Sequence, residues 1–143
     1  NNLAGDWVML KNILIPVIFD EHHDTQASFI VARALADEGA KFTVVHVLET
    51  IPSYVAAEIP SEVLANTRRE VEEALVQSAK AIPGAVPVLI SGNAGRAIVD
   101  YASEHNIDCI IIASHRPGLG DFFLGSTASR VVRHAKCSVH VIR

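Results

Sequence analysis

Apolar runs alternate with amphipathic segments along this chain, and that alternation constrains the fold more than any other feature. Residues 12–19 (NILIPVIF), 41–48 (KFTVVHVL), 86–90, the run at 110–112 beside Cys109, and 138–143 (SVHVIR) read as strands. The first and fourth are nearly continuous in Ile, Leu and Val, as strands buried on both faces are. Pro87 in the third marks that strand for a sheet edge, because proline lacks the ladder donor. Between the strands the apolar positions switch to helical spacing. The first helix is expected over 25–38, with Ala27, Ile30, Val31, Ala34 and Leu35 as its stripe and Gly39 as its stop. The longest is expected over 61–82, capped by Ser61, packed through Leu64, Val71, Leu75, Ser78, Ala79 and Ile82, and stopped by Pro83-Gly84. Asn93 suits the cap of a third helix that buries Ala94, Ala97, Ile98, Tyr101 and Ala102. Ala128, Val131, Val132 and Ala135 give the last helix its face. The order βαβαβαβαβ requires right-handed crossovers, a parallel sheet and helices on both faces.

Composition narrows the function classes. The chain has 143 residues, which suits one domain, and half of them are hydrophobic, ample for one core. A formal charge of −4 argues against nonspecific binding to nucleic acid. No apolar run approaches the roughly 20 residues of a membrane span. No charged-then-apolar secretory pattern opens the sequence, so a cytoplasmic location is expected. The two cysteines, Cys109 and Cys137, are expected as packed, reduced thiols. Residues 1–8 (NNLAGDWV) fit no later pattern and are expected to be an appended or disordered segment, with a domain spanning 9–143 from Met9 onward.

The chemistry concentrates at 110–128 (IIIASHRPGLGDFFLGSTA), where a strand becomes a glycine-rich loop and then opens a helix. A helix N-terminus carries unpaired N–H groups and a partial positive charge, so it can receive a phosphate. Ser126 and Thr127 add hydroxyls there. The competing reading is structural: Gly118 and Gly120 turn a loop, and Ser126 caps a helix.

The same stretch resembles the nucleotide-binding signature of the universal stress protein family, Gly-x-x-Gly, a spacer, then Gly-Ser or Gly-Thr. Gly125 and Ser126 match its end. Ala113 and Arg116 stand at the two early glycines, and the spacer runs from Pro117 to Leu124. ASHRP, LGS and VVRHAKCSVHVIR resemble the small bacterial members of the F and G types, which share the Ala and Arg replacements. The resemblance covers 10–143. It implies a doubly wound, Rossmann-like sheet of the adenine nucleotide alpha hydrolase kind, five parallel strands in the order 3-2-1-4-5. Ligands of such sheets bind beyond the strand ends where the order reverses, here between the first and fourth strands.

The resemblance also implies a ligand, ATP or another adenine nucleotide, with or without Mg2+. The implied site comprises Pro16, Val17, Asp20, Val47, Ile112, Ala113, Ser114, His115, Arg116, Gly125, Ser126 and Thr127. Val47 matches the position that touches the base. The family aspartate that contacts the nucleoside falls at Ile18, with Asp20 the nearest carboxylate. Catalysis has little support. Ser114 and His115 are adjacent, which does not make a nucleophile–base pair, and no complete Walker loop is present. The expectation is a nucleotide-binding regulator of the stress response and not an enzyme; the alternatives are a dimeric adaptor that binds no nucleotide and a slow ATPase. The last strand, short and apolar at a sheet edge, invites a homodimer. A further, unidentified protein partner is left open.

Overall fold

The computed structural model describes residues 10–19, 25–114 and 124–143. In chain order the elements are β1 (Leu10–Pro16), α1 (Thr25–Leu35), β2 (Ala36–Glu49), α2 (Ser53–Ala56), α3 (Ser61–Ala79), β3 (Val86–Gly92), α4 (Ala94–Glu104), β4 (Cys109–Ala113), α5 (Ser126–His134) and β5 (Ser138–Ile142). The strands form one parallel sheet in the order β3-β2-β1-β4-β5. Residues 115–123 lie outside the described residues, as do 1–9 and 20–24, and with them Asp20, His115 and Arg116.

Two apolar layers cover the sheet, one on each face. Ile13, Ile15, Val17, Val44 and Ile111 pack under α1 and α3 through Phe29, Ala32, Leu75 and Ala79. Leu14, Val45, Ile110 and Ile112 pack under α4 and α5 through Ile98, Ala102, Ala128 and Val131. Alternate residues of a strand face opposite sides, so β1 and β4 feed both layers and have to be apolar throughout. The two cysteines divide the same way. Cys109 lies in the first layer and Cys137 beside the second, and both are free thiols.

Several boundaries differ from the sequence reading. β1 begins at Leu10 and ends at Pro16, not Phe19. The Val17 amide still donates to the Val45 carbonyl at 2.8 Å, and Ile18 and Phe19 then leave the ladder. Helix α1 stops at Leu35, because Ala36 already pairs with Leu10 at the start of β2. Its buried face is Ser28, Phe29 and Ala32, while Ile30 is 66% exposed. Phe29 and Ile30 are neighbours about 100° apart on the helix, so one can face the sheet, and the larger aromatic buries more area. Val132, expected on the face of α5, is likewise exposed. Helix α3 starts at Ser61, with Pro60 in the cap position and no side-chain cap bond, and ends three residues before Ile82, which is nonetheless buried. Asn93 caps α4 as expected, accepting from the Arg96 amide at 3.1 Å. Pro87 lies in β3, an edge strand, where its missing N–H costs no ladder bond.

The seam between β1 and β4 is the shortest in the sheet. Only Ile13↔Cys109 and Leu14↔Ile110 pair across it. At its N-terminal end the strands are tied by side chains. One Asp108 carboxylate oxygen accepts from the Lys11 and Asn12 amides, each at 2.9 Å. The Asn12 amide group donates to the His105 and Asn106 carbonyls at 3.0 and 3.2 Å. Asn106 holds a left-handed turn (φ 55°), a conformation Asn tolerates better than most residues.

Candidate functional site

Beyond Leu14 and Ile110 the central strands part, and a cleft of about 330 Å³ opens at their C-terminal ends. That volume is at the lower end of the range for small-molecule sites, about 300–1,000 Å³. Its position follows from topology. Chain order reverses between β1 and β4, so the crossovers leave in opposite directions and a crevice is expected between the two strand ends.

Three strands and three helices line the cleft. Pro16, Val17 and Ile18 come from the end of β1, Val45 through Glu49 from β2, and Ile112 and Ala113 from β4. Thr25 and Ser28 of α1, Ala94 and Ile98 of α4, and Thr127 of α5 complete the wall. Every helix that follows a strand here begins at this edge of the sheet, so the starts of α1, α4 and α5 converge on one space. The α5 start differs from the α4 start, which Asn93 caps. Its first intrahelical bond runs from the Ser129 amide to the Gly125 carbonyl at 2.8 Å. Helical geometry leaves the Ser126, Thr127 and Ala128 amides without an intrahelical acceptor. Gly125 stands in the cap position, and no side-chain cap bond is made there among the described residues.

The residues expected from the sequence divide accordingly. Pro16, Val17, Val47, Ile112, Ala113 and Thr127 line the cleft. Ser126 is exposed at the first position of α5, outside the lining. Ser114 is buried just behind it; its amide donates to the Ile142 carbonyl at 2.8 Å, and its carbonyl accepts from the Gly125 amide at 2.7 Å. The Gly125 N–H is therefore committed to the protein. A Cβ at Gly125 would stand 2.8 Å from the Ser114 oxygen, so the glycine serves a close backbone approach.

His46 and Glu49 are the titratable side chains among the described lining residues. The Nδ1 of His46 lies 2.7 Å from the Val17 carbonyl, and a carbonyl can only accept, so that nitrogen carries the proton. The ring also packs against Phe19, centroids 4.9 Å apart. His46 was not among the site residues expected from the sequence. Thr25, Ser28, Leu48, Glu49, Ala94 and Ile98 were left out as well. The usable signal was positional: each stands at a strand end or a helix start, and all strand ends of a parallel sheet share one edge.

The sequence model of the universal stress protein family matches residues 9–143. The chain belongs to that family. Among its relatives is the Thermus aquaticus protein called universal stress protein in QAH/OAS sulfhydrylase 3′region, 30% identical over 94% of this chain and 100% of that one. The solved universal stress protein UspA from Lactobacillus plantarum is 28% identical, with a TM-score of 0.76 over 95% of this chain and 99% of its own. The family member from Archaeoglobus fulgidus, solved in complex with dAMP, shares the fold at 20% identity, with a TM-score of 0.61 over 95% of this chain and 100% of its own. Two other members of the fold are solved with cAMP and with AMP. Among the described residues, no helix is long and apolar enough to cross a membrane.

Proposed function

We propose that this protein binds an adenine nucleotide, ATP foremost, in the cleft beyond β1 and β4, and acts as a nucleotide-binding regulator in the stress response. The observation that carries the reading is the cleft's polarity. Apolar side chains of β1, β2 and β4 offer a surface for a flat base, and the bare N-terminus of α5 offers amides and a partial positive charge to a phosphate. The fold relatives that hold dAMP, AMP and cAMP support the ligand class.

No group of three or more His, Cys, Asp or Glu side chains suited to a metal occurs among the described residues. Mg2+ would then arrive on the phosphate oxygens of ATP, as this ion commonly does. The reading makes nucleotide binding a signal, with changed shape or partners as its output. A homodimer through β5 belongs to the same proposal. The adaptor reading, with no nucleotide, has one observation in its favour: the Gly125 amide is spent on the Ser114 carbonyl.

Titration calorimetry on ligand-stripped protein tests the proposal. The expected result is micromolar to sub-millimolar ATP binding, about −5 to −8 kcal/mol, with a matching rise in melting temperature. No heat and no thermal shift at millimolar ATP would leave the adaptor reading standing.

A further inference from the structure

Glu49 ends β2 and is the only carboxylate among the described residues that line the cleft. Val45, Val47 and Glu49 alternate along one side of the strand. Val45 and Val47 belong to the layer under α4 and α5, so Glu49 stands on that same side. Its cross-strand neighbour on β3 is Gly92, whose φ is 136°. A Cβ there would point at the Ala97 Cβ, 3.9 Å away, so the glycine leaves the flank of Glu49 without a side chain. Glu49 is exposed, and its carboxylate makes no hydrogen bond or salt bridge among the described residues. An acceptor with open flanks thus faces a largely apolar cleft.

Its distance from the α5 end identifies what it can accept from. β1 lies between β4 and β2, so the β2 terminus is two strand spacings, about 10 Å, to the side of the β4 terminus, and the registers carry Glu49 three residues, about 10 Å, farther along than Ala113. A nucleotide whose phosphate meets α5 has to cross the β1 terminus before it reaches β2. At that crossing stand Pro16, Val17 and Ile18, which offer no side-chain acceptor. The sugar is short and occupies the crossing, and the base extends to β2. In an adenine nucleotide the donor farthest from the phosphate is the exocyclic amine on C6 of the base. A carboxylate placed near the phosphate would repel it; one placed at the far end does not.

We propose that Glu49 accepts a hydrogen bond from the 6-amino group of the bound purine and makes the cleft prefer 6-amino over 6-oxo purines. A 6-oxo base turns a second acceptor toward the carboxylate, and neither oxygen can then be satisfied by the other. This selectivity rests on the nucleotide reading above and assigns the base end of that site.

The test measures binding of AMP and IMP to the full chain and to Glu49→Gln and Glu49→Ala. The unaltered protein should prefer AMP by about tenfold or more, the size of one charge-assisted hydrogen bond. Glu49→Gln should flatten the preference, because an amide accepts through its oxygen or donates through its nitrogen. Glu49→Ala should weaken AMP and bind IMP as well as or better than the unaltered protein does, so that the roughly tenfold preference is lost. Glu49 is exposed, so matched melting temperatures should verify that the variants are folded. AMP binding with the same AMP-to-IMP ratio in all three proteins would overturn the role of Glu49 and leave the nucleotide reading intact. Failure of the unaltered protein to bind ATP, AMP or IMP would overturn both.

Discussion

At Gly125 a missing carbon atom decides how the chain enters α5. Its φ is −55°, which any residue adopts, so backbone freedom is not the reason for the glycine. The reason is the Ser114 oxygen, which a Cβ would meet at 2.8 Å. Backbone cannot swing aside as a side-chain tip does. Gly125→Ala should therefore destabilise the fold by about 1–3 kcal/mol, the usual cost of forced overpacking, read as a lower urea midpoint with or without nucleotide. Substitution at Gly125 is for that reason a poor probe of phosphate contact; Thr127, which lines the cleft, is a cleaner one. The sequence marked Gly125 through a motif but could not separate a glycine that admits a ligand from one that admits a carbonyl. That distinction depends on Ser114, eleven positions earlier in the sequence. Pro16, Val17, Val47, Ile112 and Ala113 were named through the family resemblance, and they stand among the residues that line the cleft. Glu49 and Ser28 were not legible, because what places them at the cleft is the folding of separate segments to one edge.

Among the elements, β5 carries a clear liability. It is an edge strand, and β3, the opposite edge, is blunted by Pro87. The Ser138 amide donates to the Asp108 carbonyl, and the Ile142 carbonyl accepts from Ser114, so even-numbered residues face β4. By alternation the Val139 and Val141 backbones face outward. Their side chains pack within the layer under α4 and α5, so a charge at Val141 would disturb the monomer as well as a dimer. Val141→Pro removes an outward N–H and no β4 ladder bond. We expect light scattering at tens of micromolar to show a dimer that this change weakens; a monomer in the unaltered chain would remove the edge from consideration. The strands were well read because continuous apolar runs have few other uses in a chain of this size. Helix α1 was read in the wrong phase, since its turns hold apolar residues on several sides and only the sheet beneath selects Phe29 over Ile30.

For the whole molecule, pH reports on the packing of both layers. Burial pushes the Cys109 and Cys137 thiols up from their ordinary value of 9.0. The unfolded chain releases these protons first as pH rises. The stability they contribute is thus fully present below the ordinary value and is lost as pH climbs through the folded values. Urea midpoints should fall as pH rises beyond the ordinary thiol value of 9.0, and the fall should be shallower in Cys109→Ala. The thiols face opposite layers, so no disulfide between them accompanies the change. The sheet order itself followed from the family resemblance, and the alternation of elements required only that the sheet be parallel. The shortness of the β1–β4 seam was in neither. Joined through Ile13, Leu14, Cys109 and Ile110 and tied below by Asp108 and Asn12, those two strands resemble facing pages bound at one end of a spine. Spreading the pages at their loose edge bends residues 15–16 away from 111–113 and breaks no rung between them. Under the proposed reading, a thicker or thinner ligand would be admitted there while the tied end stays closed.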